Sequence, residues 1–373
     1  MRRPDLSIPC RGRGIGVGVL WLVSCSVLHG AGLPYLASHA SAIVVGSVDG
    51  RTEGPTEVSF SLNVVEVLSG VVPGSPAKVV HPWTGVVRRT GTTQQSLYGI
   101  WFLTSGASQG TWDVLTARPL AVHTVFGLFL PAPVSSPTAG PYTYPQGTPL
   151  LDRLAYQVAA GVQSGNEDPE IILGAIEGMD SPAVRSILDR CSASNRPAYQ
   201  VVGIAGRLER NVPGVIEQLS QSWPTIKDNP LTRDIASALK SSWRDATPAN
   251  VQALASFASV IPRTDRVRQA AAWTLAAIHS KEALPFLASL LSGSDSYEQE
   301  QGVNGLAAFA NGCPMRTSDN VITMSYLKCD QPTPYRSADT VNNFAFRSGT
   351  PDLQRAPLVS FWQQWWLSHP ELR

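Results

Sequence analysis

The sequence predicts a multidomain protein of mixed class, in which a small β-barrel or sandwich is followed by an all-α solenoid. Apolar and polar residues alternate along short segments between residues 42 and 130, which is typical of strands. From residue 151 the apolar residues recur with the period of a helix. The helical pattern then repeats along the chain. A length of 373 residues is sufficient for this organisation.

The composition excludes two broad classes. Charged residues make up 15% of the chain and hydrophobic residues 43%, so a charge-rich disordered protein is excluded. The 29 Lys and Arg residues nearly balance the 28 Asp and Glu residues, so no overall positive field attracts a polyanion. We therefore expect no nucleic-acid partner.

Residues 1–41 form a predicted signal peptide and tether. Four arginines (Arg2, Arg3, Arg11 and Arg13) precede an apolar run over residues 14–28. This run is shorter than the ~20 residues that a membrane-spanning helix requires, and its pattern is that of an export signal. We expect the protein in the periplasm, on the outer membrane as a lipoprotein, or outside the cell.

Two cleavage positions compete. Residues 22–25 (LVSC) resemble a bacterial lipobox, and this resemblance implies that Cys25 would be lipidated and would attach the protein to a membrane. The alternative is a cut after Ala40 or Ala42, within a stretch of small residues of the A-x-A type.

The β domain is predicted over residues 42–130. Asp49-Gly50 is a turn signal that should end the first strand, and the alternation slips at Val64-Val65, which indicates a bulge. The predicted strands cover residues 43–48, 57–68, 78–81, 99–103, 111–115 and 122–130. Their order, with an aromatic strand at 99–103, resembles the OB-like, netrin-like barrels of exported bacterial proteins. Since such folds include protease inhibitors, the resemblance implies inhibition as one alternative function.

A spacer and a repeat array follow. Residues 131–150 contain no charged residue and six prolines, which favours an extended linker. The array is predicted over residues 151–312. Its repeats are marked by apolar residues about 31 to 36 positions apart: Ile176, Leu208, Leu239, Leu275 and Leu306.

Residues 265–291 carry the clearest repeat. A helix with small residues is followed by a turn at 279–282 and a second helix over 283–291. This stretch resembles a HEAT repeat, and the resemblance extends over roughly residues 165–312. It implies a scaffold with a concave surface that binds a protein or peptide.

The remaining cysteines follow from the predicted export. Cys313 and Cys329 lie in a turn-rich segment and are disulfide candidates in an oxidising compartment, with a pair of free thiols as the alternative. Cys191 lies in a helical pattern and should be a buried small side chain.

Residues 313–373 are predicted to be an irregular cap with a final helix over 358–368. Four aromatic residues, Phe361, Trp362, Trp365 and Trp366, share one face of this helix. They would close the last repeat, since the end of a repeat array otherwise exposes an apolar face. The alternative is an exposed aromatic binding stripe.

No catalytic motif is recognisable. His81 and His123 both fall in the β domain, but no cysteine or carboxylate accompanies them at metal-ligand spacing. We expect no catalytic residue, no cofactor and no metal site. The sequence therefore predicts a non-enzymatic protein-binding or scaffold module, with a protease inhibitor or a structural envelope lipoprotein as alternatives.

Overall fold

A computed structural model gives the architecture. The chain divides into two compact units, residues 1–131 and 132–373. The first contains a small five-stranded barrel and the second contains helices, so the predicted order of a β domain and an all-α region is confirmed. The structure describes residues 32–53, 57–72, 74–82, 98–115, 132–133, 144–164, 169–313, 329, 331–343 and 351–373.

The first unit is a closed sheet preceded by a short helix. The barrel closes because β1 pairs with both β2 and β4, while β5 joins β3 to β4. The β3–β5 pairing is parallel and the others are antiparallel. The elements are α1 (Leu33–His39), β1 (Ala42–Glu53), β2 (Glu57–Ser69), β3 (Ala77–Pro82), β4 (Tyr98–Ser105) and β5 (Trp112–Val114).

The alternating residues of the strands fill the barrel. Phe60 and Leu62, which the sequence places on one face, are both buried there. Trp101 is fully buried among them, and its Nε1 donates a hydrogen bond to the carbonyl oxygen of Gly46 at 3.1 Å. The indole is therefore satisfied inside an apolar core.

The β1–β2 pair contains three register shifts, and two of them fall where the sequence predicts an irregularity or a turn. Val45 pairs with Glu66 and Gly46 with Val64, so Val65 is the extra residue of a bulge, as predicted. The turn predicted at Asp49-Gly50 is wrong, since β1 continues to Glu53. The register instead shifts between Asp49 and Thr52, and Gly50 has φ +59°. A glycine in the left-handed region lets the strand absorb an extra residue without turning. The strand predicted over 122–130 lies outside the described residues.

The second unit is helical. Most of the predicted linker lies outside the described residues, and its described part includes β6 and a turn before α2. The elements are β6 (Ala132–Pro133), α2 (Leu150–Ser164), α3 (Glu170–Ala175), α4 (Pro182–Ser192), α5 (Pro197–Glu209), α6 (Val215–Ile226), α7 (Thr232–Ser241), α8 (Pro248–Val260), α9 (Arg266–Ile278), α10 (Leu284–Leu290), α11 (Ser296–Asn311), α12 (Ala338–Asn342) and α13 (Asp352–Ser368).

Alternate helices contact one another. In one row α5 packs on α7, α7 on α9, and α9 on α11. In the other row α6 packs on α8, and α8 on α10. The five residues that mark the predicted repeat, Ile176, Leu208, Leu239, Leu275 and Leu306, are all buried.

Side-chain hydrogen bonds also join residues that lie about one predicted repeat apart. The Arg210 guanidinium donates to the carbonyl oxygens of Ile176 and Met179, at 2.8 and 2.9 Å. The Thr274 hydroxyl donates to the carbonyl oxygen of Leu239 at 2.9 Å. These pairs are 34, 31 and 35 residues apart. They satisfy carbonyls near helix ends, which have no partner within their own helix.

The last helix differs from the prediction in its beginning. It starts at Asp352 rather than at residue 358, and it contains Pro357. A proline lacks an N–H, so one hydrogen bond to the preceding turn is lost. The helix nevertheless continues to Ser368, and Trp362, beyond the proline, packs in the interior.

Candidate binding site

The most unusual feature of the helical unit is a buried polar face of α11. Tyr297, Gln301, Asn304 and Ala308 recur at intervals of three and four residues and so share one side of the helix. Glu300 lies beside them. We call Tyr297, Glu300, Gln301 and Asn304 the α11 polar face. The helix is enclosed by α9, α10, α12 and α13.

Asn304 is buried without partners. It is 1% exposed, and neither its Oδ1 nor its Nδ2 forms a hydrogen bond with a described residue. Gln301, at 2% exposure, has an unpartnered Oε1. Among the described residues, Asn304 is the one whose donor and acceptor are both buried and unpaired. Each unpaired buried group costs about 1–3 kcal/mol, so the face carries a cost that a bound partner could remove.

Another amide of the same helix is fully satisfied. Asn311 Nδ2 donates to the carbonyl oxygens of Ala307 and Thr340, at 2.9 and 3.0 Å. Its Oδ1 accepts from the Thr340 hydroxyl at 3.0 Å. Asn311 therefore fastens α11 to α12. Asn304 has no such structural contact to explain its burial.

The acidic residue of the face is also poorly solvated. Glu300 is 9% exposed, and its carboxyl has no hydrogen-bond partner among the described residues. Burial raises its pKa. Burial also raises the pKa of Tyr297, and the nearby carboxylates of Glu300 and Asp295 add to that effect. The face thus favours neutral forms of its titratable groups.

Residues of two other helices, α7 and α9, lie against this face. The Tyr297 hydroxyl donates to the carbonyl oxygen of Gln269 on α9, at 3.4 Å. Lys240 on α7 places its Nζ 5.9 Å from the centre of the Tyr297 ring. Trp273 on α9 packs against Ala308. Amides, a carboxyl and an aromatic ring can hold a polar ligand by hydrogen bonds and stacking.

The sequence did not indicate this site. Aligned at an interval of 31 residues, Glu300 corresponds to Gln269 and Asn304 to Trp273. The available signal was that Asn304 occupies the position that the aromatic residue Trp273 holds 31 residues earlier. Polar residues in a helix ordinarily indicate a solvated face, so burial becomes apparent only in the structure.

Cys313 and Cys329, the predicted disulfide pair, are bonded to each other across 16 residues. Cys191 is a buried free thiol, and burial raises its pKa to about 11. A thiol with that pKa is protonated at neutral pH and is a poor nucleophile.

Three of the four predicted cap residues, Phe361, Trp362 and Trp365, belong to a packed aromatic cluster. Trp362 is fully buried, and its Nε1 donates to the carbonyl oxygen of Asn343 at 2.9 Å. Its ring lies 5.1 Å from that of Phe361 and 5.3 Å from that of Trp365. Trp366 is half-buried beneath the Arg373 guanidinium. The helix that carries them packs on α10 and α11.

Other predicted features lie outside what the structure describes, namely Cys25, His123 and the side chain of His81. Within the described residues, no group of three His, Cys, Asp or Glu side chains could hold a metal ion. No described helix is long and apolar enough to cross a membrane. No family model, curated protein or solved structure matches this chain.

Proposed function

We propose that this chain is a non-enzymatic protein-binding scaffold of the bacterial cell envelope or exterior. In this proposal α3 to α11 form a HEAT-like solenoid that presents a face for a peptide or protein partner. The two rows of alternate contacts support the repeat organisation. Hydrogen bonds between residues 31 to 35 apart support it independently. Stacked repeats provide extended binding surfaces of this kind.

One observation carries the proposal. Asn304 keeps both amide groups buried and unpaired, beside a second unpaired amide and a desolvated carboxyl. More than 90% of buried polar groups in folded proteins have partners, so such exceptions require an explanation. A ligand that supplies the missing hydrogen bonds is the explanation we propose. The aromatic ring of Trp273 would flank it.

The test is selection of peptides from a random displayed library on the purified full chain. We expect enriched sequences whose binding is lost in Asn304→Leu. Gln364→Leu makes the same kind of amide-to-leucine change at an exposed position of α13 and should bind normally. If no sequence is enriched, or if Asn304→Leu binds every enriched peptide as well as wild type, the proposal fails.

The location of the protein in the cell is also part of the proposal. Lipidation of Cys25 would hold the scaffold on a membrane leaflet, with residues 1–24 as the export signal and residues 26–41 as the tether. A Cys25→Ala variant should then move from the membrane fraction to the soluble fraction while remaining folded. Retention of that variant in the membrane fraction would contradict lipid attachment at this residue.

A further inference from the structure

We infer that one end of the barrel rests on a lipid leaflet, the same leaflet to which an anchor at Cys25 would attach the chain. The surface consists of Tyr35, Val65, Val67 and Val71, and we call it the apolar end of the barrel. The inference rests on the membrane attachment proposed above. It goes beyond that proposal because it specifies a second contact with the bilayer, and with it an orientation of the first unit.

The four side chains are exposed although they are large and hydrophobic. Their exposed fractions are 43% for Tyr35, 57% for Val65, 45% for Val67 and 79% for Val71. Among the described residues of the first unit, these are the large hydrophobic side chains that are exposed. Single exposed apolar residues are ordinary in soluble proteins, but a set that gathers in one place indicates an interaction surface.

The pairing of β1 with β2 brings the four residues to one end of the barrel. The partner of Val67 is among the first three residues of β1. Gly70 packs so closely on Ser41, just before β1, that a Cβ would have no room beside the Ser41 carbonyl oxygen, and Val71 follows directly. Tyr35 lies on α1, which ends two residues before Ser41.

This end of the barrel carries almost no charge. Residues 32–48, 62–72 and 98–103 contribute to it, and Glu66, which is half-buried, is the one Asp, Glu, Lys or Arg among them. A surface with few charges loses little solvation when it enters the headgroup region of a bilayer. Tyr35 suits the same region, because its ring is apolar and its hydroxyl can remain in water.

The chain enters the fold at this end. Leu33, the first residue of α1, lies eight residues after Cys25. Because an extended chain covers at most about 3.6 Å per residue, an anchored Cys25 keeps the start of α1 within about 29 Å of the anchor. A tether this short raises the effective concentration of the leaflet at the barrel, so a few apolar side chains suffice for docking.

The edge of β2 at this end favours a leaflet over a partner strand. β3 pairs with residues 57–62 of β2 and does not extend along the part that carries Val65 and Val67. The bulge at Val65 interrupts the strand, and the Val64 N–H donates to the Ser75 hydroxyl at 3.1 Å. Addition of a strand requires a regular row of free N–H and C=O groups, which is absent here, whereas contact with lipid requires only the side chains.

The experiment measures the depth of a fluorophore on the chain purified from the membrane fraction and reconstituted in vesicles of phosphatidylethanolamine and phosphatidylglycerol. A nitrobenzoxadiazole label is attached to Val71→Cys. The control carries the label on Thr52→Cys, an exposed position at the opposite end of the same hairpin. Cys191 is buried and Cys313 is bonded to Cys329, so the introduced thiol reacts selectively.

We expect bromine-labelled lipids to quench the label at position 71 at least about threefold more than the label at position 52. Adding Val65→Thr and Val67→Thr should reduce the quenching at position 71 by about half or more. Threonine keeps the β-branched shape that strands favour, so these variants should stay folded. Val260→Thr makes the same exchange at an exposed position of α8 and should change nothing. Because the surface is nearly uncharged, about 0.5 M sodium chloride should not release it.

Equal quenching at the two positions, or no effect of the two threonines, would overturn the inference. If the purified chain carries no lipid, coupling Cys25 to a maleimide-bearing lipid supplies the tether. The same comparison then decides on the surface, while lipidation in the cell is wrong. A mature chain that starts at Ser41 or later lacks Tyr35 and overturns both.

The scaffold function is tested separately. If no peptide is enriched in the library selection while the label at position 71 is quenched as expected, the scaffold function falls and the leaflet contact stands. If peptides are enriched and the quenching is equal at both positions, the reverse holds. Circular dichroism and the melting temperature of each variant establish that it is folded.

Discussion

The main-chain N–H of Ser41 donates a hydrogen bond to the carbonyl oxygen of Leu103, at 2.7 Å. This bond fixes the residues that precede β1 against β4. The preceding helix α1 also contacts β4, and Leu33 at its start is 2% exposed. Residues 32–42 are therefore part of the folded β unit.

A first prediction concerns processing. Cleavage after Ala40 or Ala42 would remove the buried Leu33, and the later cut would also remove the Ala42 that pairs with Leu103. We expect the mature chain to begin at or before Gly32, which is compatible with a first residue at Cys25. The intact mass of protein from the membrane and soluble fractions measures this. A mature chain that starts at Ser41 or Ile43 would contradict it.

A second prediction concerns the stability of the α11 polar face. Replacing an unsatisfied buried amide by an apolar side chain of similar volume removes a desolvation penalty. We expect Asn304→Leu to raise the free energy of unfolding by about 1 kcal/mol, or the melting temperature by about 2–4 °C. Asn311→Leu is the matched change at a satisfied amide and should lower both. A lower melting temperature for Asn304→Leu would show that its amide has a structural partner.

The pH dependence of stability gives a third prediction. The pKa of Glu300 is raised by burial, so folding favours its protonated form. Its contribution to stability is present below the unfolded pKa and is lost as the pH rises through the folded pKa. Glu300→Gln should therefore be more stable than wild type at pH 7, with the difference smaller at pH 4. Chemical denaturation at both pH values measures it, and an equal difference at both would refute the assignment.

A fourth prediction concerns an ion pair between α9 and α11. Arg268 Nε lies 2.6 Å from Glu298 Oε1, and both side chains are buried. Arg268 also donates to the carbonyl oxygens of Ala258 and Ile261, at 2.6 and 3.2 Å. We expect Arg268→Met to lower the free energy of unfolding by about 3–5 kcal/mol, since it leaves the Glu298 carboxylate buried with only the more distant Arg263.

The control for that pair is the double replacement Arg268→Met with Glu298→Met. It leaves no buried charge, so it should be less destabilising than Arg268→Met alone. Urea denaturation of the three variants and wild type forms a double-mutant cycle. If the double replacement is as unstable as the sum of the single ones, the two side chains do not interact.

Much of the fold could be predicted from local patterns. The 3.6-residue period and the capping residue Asp265 indicate α9, and the alternation around Phe60 and Leu62 indicates β2. These patterns are reliable because burial on one face imposes them. The bulge at Val65 could also be predicted from the sequence, because a bulge shifts the alternation of apolar and polar residues.

The rest depends on contacts between distant residues. Pro357 ordinarily ends a helix, and the packing of Trp362 that offsets its missing hydrogen bond is a tertiary effect. Gly50 signals a turn and a bulge equally well. The site was missed for the same reason: Asn304 is unusual because of what surrounds it, and its own sequence neighbours do not reveal that.

The packing of alternate helices within each row also determines how this protein would unfold. Each of α5, α7, α9 and α11 packs mainly on its immediate neighbours, so unfolding can spread from one end while distant helices stay intact. The α11 polar face lies on the last helix of its row, and that helix also contacts the aromatic helix α13. A ligand bound there would stabilise the last helices of the unit against local unfolding. It would protect the amide hydrogens of α9 to α13 from exchange far more than those of α5.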